Sequence, residues 1–143
     1  MSLETGRYTI KNGDNVVGRA LAEDLSLLPK RIILAPSDRD STWIIEKSKH
    51  NENEYLLISN GSPTTHIEDH IFALLVHQSQ ATKWTIKAVP KYGEDAYNIF
   101  ATDSAKGWIA PKEIGDQILY HGLISTGLGQ QPSTQVFQIV KVE

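Results

Sequence analysis

Histidines and carboxylates crowd one short stretch of the chain, where their chemistry would suit a metal ion. His66 and His70 lie four residues apart, Glu68 and Asp69 lie between them, and His77 follows. On a helix this spacing would bring two imidazoles together, but along a strand it places them far apart on one face. We therefore predict surface or hydrogen-bonded roles for these residues, and neither a metal nor a cofactor.

Catalytic motifs are missing from the sequence. There is no Gly-x-Ser-x-Gly segment, and no serine has neighbours that suggest an activated nucleophile. The Glu-Asp pairs at 23–24, 68–69 and 94–95 fall in turn contexts, where aspartate bonding to nearby backbone is the simpler explanation. The segments GLGQQP and KNGDN lack the following helix of a phosphate-binding loop. We expect no enzymatic activity.

The charge balance argues against two large classes of partner. The formal net charge is -3, and the 14 Lys and Arg residues are scattered along the chain. Without a dense positive surface there is little counterion release to drive contacts with phosphates. We expect neither nucleic acid nor a membrane as a partner.

Length and cysteine content limit the architecture. A chain of 143 residues with 40% hydrophobic residues fits one globular domain, which we place at residues 1–143. Cysteine is absent, so neither a disulfide nor a thiolate metal site can form. The opening residues lack a signal-peptide pattern. We expect a cytoplasmic protein, with release by a non-classical route left open.

The apolar residues recur with the period of β-strands and in a threefold pattern. A tyrosine followed two residues later by Ile or Leu occurs at Tyr8, Tyr55 and Tyr97. A large aromatic residue followed two residues later by Ile occurs at Trp43, Trp84 and Phe137. The opening and closing patterns alternate along the chain, and self-similarity of this kind indicates a repeat architecture.

This alternation defines three units, at about residues 5–47, 53–89 and 95–142. Each unit has room for four short strands separated by turn residues. Such units cannot bury their apolar faces alone, but three of them can close into a six-stranded barrel capped by three hairpins. We therefore predict an all-β fold: a β-trefoil of twelve strands in three pseudo-symmetric four-stranded units, with the recurring aromatic residues in its core.

One connection in the first unit is longer than its counterpart in the second. When the Glu-Asp pairs at 23–24 and 68–69 are taken as equivalent, the next strand begins near Ile32 in one unit and near Ile71 in the other. A segment that the symmetry does not require is a place to look for function. The surplus residues are Leu25, Ser26, Leu27, Leu28, Pro29 and Lys30.

The third unit has its own surplus, between its third strand and its closing aromatic residue. It covers residues 125–132. Its candidate binding residues are Thr126, Gly127, Leu128, Gly129 and Gln130.

Leucines in a surface connection have two explanations. Leu25 or Leu27 can fold back and plug the mouth of the barrel. Alternatively, a leucine projects into the pocket of a partner, held there by Pro29, which biases Leu28 towards an extended conformation. A preorganised loop of this kind loses less entropy on binding.

Several long blocks of sequence resemble the Lentinus proteinase inhibitor family of fungal serine protease inhibitors. They run from end to end of the chain: SLETGRYTIKNGDNVVGRALAEDLSLLPKRIIL, TWIIEKS, PTTHIEDHIFALL, TKWTIKAVP and QVFQIVKVE. The resemblance implies a β-trefoil that blocks trypsin-like or chymotrypsin-like proteases with the loop joining strands two and three, or eleven and twelve. These are the two connections that the repeat comparison marks as long. We expect a monomer that binds serine proteases, and the likeness implies a role in defence.

The side chain that enters the main pocket of a serine protease largely sets specificity. Trypsin-directed relatives are expected to present a basic or polar residue, whereas the first loop offers leucines and the second offers Leu128. Leucine suits the apolar pocket of a chymotrypsin-, elastase- or subtilisin-like enzyme. The nearby Lys30 and Arg31 are expected to be solvated charges at a strand edge.

Proline after the pocket residue is poorly accommodated, which makes Leu28-Pro29 a poor candidate for the bond presented to the protease. Leu27 is therefore the preferred pocket residue, with Leu28 and Leu25 behind it.

Two other functions remain open at the level of sequence. Trefoils also serve as carbohydrate-binding lectins, which are expected to carry a Gln-x-Trp pattern. In this sequence only Gln135, two residues before Phe137, matches that pattern, with Phe in place of Trp. Inhibition of papain-like cysteine proteases, known in other fungal trefoils, is the second alternative.

Overall fold

The computed structural model describes residues 3–20 and 22–142, which form twelve β-strands and three short 3-10 turns. The strands are β1 (Gly6–Asn12), β2 (Asn15–Arg19), β3 (Lys30–Ala35), β4 (Trp43–Lys47), β5 (Glu54–Ser59), β6 (Ser62–Ile67), β7 (His70–Ala73), β8 (Trp84–Ala88), β9 (Ala96–Ala101), β10 (Lys106–Ile109), β11 (Leu119–Gly122) and β12 (Phe137–Lys141). The 3-10 turns are Gln78–Gln80, Pro90–Tyr92 and Ser133–Gln135. The prediction of an all-β chain with twelve strands is confirmed. Within the described part of the chain, no helix has the length and apolar character needed to cross a membrane.

Six of the strands pair into a closed ring. The antiparallel pairs are β1–β4, β4–β5, β5–β8, β8–β9, β9–β12 and β12–β1. Each strand of the ring therefore has a hydrogen-bonded neighbour on both sides, which protects its edges. The other six strands form the hairpins β2–β3, β6–β7 and β10–β11.

The recurring sequence patterns occupy equivalent places in this ring. The opening tyrosine of each unit lies opposite the closing aromatic residue of the same unit, as Tyr8–Trp43, Tyr55–Trp84 and Tyr97–Phe137. The aliphatic residues two positions later pair across neighbouring strands, as Ile10–Ile139, Ile45–Leu57 and Ile86–Ile99. All of them belong to the core or pack against it. The threefold pattern read from the sequence is thus repeated in the backbone pairing.

Trp108 lies outside the repeated pattern and joins the three units in the core. It is fully buried on β10. Its ring centroid lies 5.7 Å from that of Trp43, 5.6 Å from Trp84 and 6.2 Å from Phe137. Aromatic pairs at these separations stabilise a fold beyond the area they bury. The closing residue of every unit therefore contacts one shared aromatic side chain.

The hairpins meet through β3, β7 and β11. Lys30 on β3 pairs with Ala73 on β7, and Leu119 on β11 pairs with His70. The amide of Ile118 donates to the carbonyl of Ile32 at 2.8 Å. The sheet therefore fixes the start of β3, where the connection from β2 ends. That strand begins at Lys30, where the pairing with β7 holds its first residues.

The connections differ in length from unit to unit. The β2–β3 connection covers residues 20–29, whereas the β6–β7 turn covers only 68–69, as the comparison of the first two units predicted. The β10–β11 connection, residues 110–118, is about as long as the first, and the sequence comparison overlooked it. In the third unit the β11–β12 connection covers residues 123–136, against 36–42 and 74–83 in the others. It is the longest of its set, as predicted.

Candidate functional site

Three leucines lie exposed in residues 22–29 between β2 and β3, a segment that we call the leucine loop. Leu25 is fully exposed, and Leu27 and Leu28 each expose 65% of their surface. None of them plugs the barrel, so the first of the two explanations considered for these leucines is wrong. Apolar side chains displayed together on a surface are typical of a binding site.

A buried arginine anchors the first end of the leucine loop. Arg19, at the end of β2, donates from Nε and Nη2 to the two carboxylate oxygens of Glu23, at 2.8 and 2.7 Å. Its third nitrogen, Nη1, reaches the carbonyl of Ser59 at 3.4 Å. The hydrogen bonds from Arg19 lower the pKa of Glu23. This bidentate geometry fixes the orientation of Glu23 as well as its distance from Arg19.

A buried lysine anchors the second end. Lys30 Nζ lies 2.5 Å from Asp24 Oδ1, 3.1 Å from the Asp24 carbonyl and 3.4 Å from Ser26 Oγ. Lys30 exposes only 6% of its surface, whereas Arg31 beside it is exposed. The expectation that Lys30 is a solvated charge is therefore wrong. Alternation along β3 places Lys30 on the buried face with Ile32.

Asp24 is the centre of the hydrogen bonding inside the leucine loop. Its Oδ1 accepts from the Ser26 amide at 3.0 Å and from the Ser26 hydroxyl at 2.6 Å, in addition to Lys30. These bonds, that from Lys30 above all, lower the pKa of Asp24 to about 2. The predicted bonding of this turn aspartate to nearby backbone is confirmed, and the ion pair adds to it.

The hydrogen bonds continue along the loop to Leu28. The Leu28 amide donates to Ser26 Oγ at 3.3 Å. Contacts between residues two apart curve the chain, and the chain bends at residues 25–28. The leucine loop is therefore curved around Ser26.

The leucine loop borders an apolar groove of about 500 Å³. Leu27, Leu28 and Pro29 line it together with Ile67 and Val76, which are each 39% exposed. The apolar surface of the loop thus continues onto the neighbouring hairpin.

The second predicted loop also carries an exposed leucine. Leu128 is 82% exposed, and Gly127 beside it is exposed as well. Thr126 closes a tight turn: its amide donates to the Gln130 carbonyl at 2.8 Å, and its Oγ1 accepts from the Gln130 amide at 3.1 Å. Gly129 has a φ of 79°, which suits glycine.

Side chains from the 3-10 turn Pro90–Tyr92 and from the third unit hold this second loop in place. Lys91 Nζ donates to the Leu128 carbonyl at 3.2 Å, and the Gln131 amide donates to the Tyr92 hydroxyl at 2.8 Å. The buried Gln135 donates to Gln131 Oε1 at 2.8 Å. Both predicted loops are therefore ordered by specific polar contacts and present leucine to solvent.

The histidine-rich stretch is arranged differently from the single strand that the spacing argument assumed. His66 lies on β6 and His70 on β7, on either side of a turn formed by Glu68 and Asp69. His66 stacks on Tyr120 with ring centroids 4.0 Å apart, and burial lowers the pKa of His66. In residues 3–20 and 22–142 no three His, Asp or Glu side chains come together as a metal site.

Sequence reasoning named Lys30 as a residue of the loop, but it missed Arg19 and the anchoring role of both cations. A signal was present, because Lys30, Ile32 and Leu34 alternate as the inward residues of a strand. A lysine at such a position needs a partner, and the carboxylates at 23 and 24 were the nearest on the chain.

Comparisons with known proteins agree with one another. The family model for Peptidase inhibitor I66 matches residues 1–141. A serine protease inhibitor of Lentinula edodes is 56% identical over 147 aligned positions, covering 99% of this chain and 100% of the relative. The structure of a proteinase inhibitor from Coprinopsis cinerea superimposes with a TM-score of 0.88 at 31% identity, covering 99% and 100% of the two chains. The Rhizoctonia solani agglutinin, at 16% identity and a TM-score of 0.69 over 99% of each chain, shares the fold alone.

Proposed function

The chain belongs to the peptidase inhibitor I66 family, and from this premise we propose that it inhibits serine proteases by inserting the leucine loop into their active-site cleft. The family and its named relatives are protease inhibitors and not enzymes. The resemblance to fungal serine protease inhibitors is confirmed by these matches. Leu27 is the residue that we assign to the protease pocket.

We assign the scaffold to the β-trefoil architecture. The closed ring of six strands, the three hairpins and the threefold repeat of their register support this assignment. A trefoil presents its connections outside a packed core, so that loop sequence changes with little effect on the barrel.

One observation carries the proposed mechanism: exposed leucines lie between two anchors that are themselves buried. Arg19 and Lys30 hold the ends of the loop, while Leu25, Leu27 and Leu28 face solvent. An inhibitor needs such an ordered projection, because each side chain that is ordered before binding reduces the entropy lost in the complex. A standard interface of about 1,600 Å² in total would need more than the loop itself. The bordering groove supplies further apolar surface.

The exposed side chains indicate the class of target. A pocket that accepts leucine is apolar, as in chymotrypsin-, elastase- or subtilisin-like proteases, whereas a trypsin-like pocket requires a basic side chain. The cations nearest to the leucine loop do not serve as pocket residues: Lys30 is buried, and Arg31 lies on β3. Chymotrypsin-type enzymes are therefore the proposed targets.

The test is to truncate each candidate pocket residue. Leu27→Gly and Leu28→Gly are expected to weaken inhibition of chymotrypsin by tenfold or more, because affinity concentrates in the central pocket residue. The melting temperature should stay nearly unchanged, since both side chains are exposed. Leu128→Gly in the second loop is the matched control and should inhibit like the wild type. The panel includes elastase, subtilisin, trypsin and papain.

Two results of this panel would contradict the proposal. Equal inhibition by the wild type and both leucine-loop variants, together with weaker inhibition by Leu128→Gly, would move the site to the loop at 126–130. Inhibition of papain in the absence of any serine protease inhibition would replace the serine protease target with a cysteine protease.

The loop at residues 126–130 is the second candidate site for the same activity. The observation that supports it is the exposed Leu128, which lies at the tip of a turn held by Thr126, Lys91 and Tyr92. Since it presents leucine as well, its expected target is again a protease with an apolar pocket.

A further inference from the structure

We infer that Asn60 is a site of slow spontaneous modification, where the Asn60-Gly61 turn closes to a succinimide and then opens to aspartate or isoaspartate. The sequence contains two Asn-Gly pairs, at residues 12–13 and 60–61. Asparagine is among the thermally labile residues of proteins, and a following glycine leaves the next backbone nitrogen unhindered. The reaction needs no protease, so it is independent of the proposed function. The two pairs have different surroundings in the fold.

The Asn60-Gly61 pair is the exposed tip of the β5–β6 hairpin. Ser59 pairs with Ser62, so the two residues between them form the whole turn. Their φ angles of 50° and 79° are typical of a type I′ turn, for which Asn-Gly is a preferred sequence. Both residues are exposed. Within residues 3–20 and 22–142, neither the Asn60 side chain nor the Gly61 amide makes a hydrogen bond. Both reacting groups are therefore free to move towards each other.

The Asn12-Gly13 pair is held at both of the same groups. The Asn12 side-chain nitrogen donates to the carbonyls of Ser133 and Val136, at 2.9 Å each. The Gly13 amide donates to Gln138 Oε1 at 3.1 Å. The identical dipeptide is thus tied at this position to β12 and to the segment before it. It serves as an internal control for the exposed pair.

The reaction uses only the chain and water. The Gly61 nitrogen attacks the side-chain carbonyl carbon of Asn60, and the side-chain nitrogen leaves as ammonia with the proton that the Gly61 nitrogen loses. Because the nucleophile belongs to the same chain, this step is unimolecular. Water then opens the succinimide ring. Breaking the newly formed bond gives aspartate, whereas breaking the original main-chain bond gives isoaspartate, in which the backbone runs through the side-chain carbon.

The modified turn lies next to a contact of the leucine loop. The Ser59 carbonyl accepts from Arg19 Nη1 at 3.4 Å, and Arg19 holds Glu23 at the start of that loop. Isoaspartate adds a carbon to the main chain of a two-residue turn, and both products add a negative charge. Turn length fixes the register of a hairpin, so isoaspartate should disturb the pairing of Ser59 with Ser62.

The experiment uses hydroxylamine, which opens a succinimide and cuts the chain at that position. Native full-length protein and protein unfolded in guanidinium are incubated with it side by side, and mass spectrometry quantifies the fragments. A cut at the exposed pair gives residues 1–60 and 61–143, whereas a cut at the held pair gives 1–12 and 13–143. The variants are Asn60→Gln, which removes the reactive pair, and Gln138→Ala, which frees the Gly13 amide.

In the native protein we expect the cut at 60–61 to form about tenfold or more faster than the cut at 12–13, because only the exposed pair can bring its groups together. The unfolded chain should be cut at both pairs at similar rates. Asn60→Gln should lose only the cut at 60–61, and Gln138→Ala should gain the cut at 12–13. A native protein that is cut equally at both pairs would overturn the assignment. So would a native protein cut at neither pair while the unfolded chain is cut at both.

Thermal unfolding tests the effect on the turn. Native protein is aged without hydroxylamine, and the isoaspartate form is separated and compared with Asn60→Asp, which carries the same added charge on an unaltered backbone. We expect the isoaspartate form to unfold at the lower temperature. Identical unfolding temperatures would overturn the expected disturbance of Ser59 and leave the modification site standing.

Discussion

At the scale of single residues, the arrangement of the leucine loop depends on a lysine that is buried. Burial of an ammonium group is costly unless acceptors surround it. Lys30 has three: a carboxylate oxygen and the carbonyl of Asp24, and the hydroxyl of Ser26. The strand thus supplies a fixed positive charge, and the loop folds around that charge.

The titration of Asp24 tests this arrangement. Its pKa is lowered from the ordinary 3.8 to about 2, chiefly by the hydrogen bond from Lys30. Because the native value lies below that of the unfolded chain, the stabilisation from this pair is complete above about pH 4. It is lost as the pH falls through the native pKa of about 2. We expect the loop to keep its native contacts at pH 4.

Carbon-detected NMR of the Asp24 carboxyl group gives the midpoint directly. Lys30→Met should raise the midpoint towards 3.8, although not fully, since Ser26 still donates two hydrogen bonds. A wild-type midpoint already at 3.8 would show that Lys30 does not contact Asp24 in solution.

At the scale of elements, the strands were more predictable than the loops between them. Alternating aromatic and aliphatic residues marked the ring strands correctly, because a strand with one buried face must repeat every two residues. Loop length was read correctly where two units were compared, but the long β10–β11 connection, residues 110–118, was overlooked. The shape of the leucine loop was not predictable from propensity, because it depends on side-chain contacts to β2 and β3.

The close approach of β9 and β10 gives a prediction for the scaffold. A Cβ at Gly107 would lie 2.2 Å from the carbonyl oxygen of Ile99 and 2.8 Å from the Phe100 Cβ. Gly107→Ala must therefore push two paired strands apart, and we expect a loss of about 2 kcal/mol or more. In a thermal unfolding experiment this corresponds to a fall of roughly 4 °C or more.

Gly122 on the adjacent strand is the matched control for that substitution. It has open space around its Cβ position and pairs with Lys106 on the same hairpin. Gly122→Ala should leave the unfolding temperature unchanged or slightly raised. If both variants unfold together with the wild type, the strand spacing at Gly107 is wrong.

At the scale of the whole molecule, the core and the proposed binding site are built from different residues. The closing aromatic residues Trp43, Trp84 and Phe137 surround Trp108 in a core that forms without disulfides. The candidate pocket residue Leu27 does not belong to that core. A scaffold of this kind tolerates changes in the side chain presented by the loop.

This separation of core and candidate site also explains which residues could be predicted from the sequence alone. The core residues recur in all three units, so that comparison within a single chain finds them, as it did for Tyr8, Tyr55 and Tyr97. The residues of the candidate site occur once, and internal comparison marks only their surplus length. Their roles depend on contacts such as Lys30 with Asp24 that bring together residues at different positions of a folded loop.

The most direct test of the account is the inhibition constant of Leu27→Lys against chymotrypsin and trypsin, measured side by side with the wild type. If Leu27 enters the pocket, the wild type inhibits chymotrypsin, and the lysine variant loses tenfold or more of that affinity and gains inhibition of trypsin, whose pocket binds a basic side chain. An unchanged inhibition constant for chymotrypsin together with no inhibition of trypsin would contradict the assignment of the leucine loop as the inhibitory site.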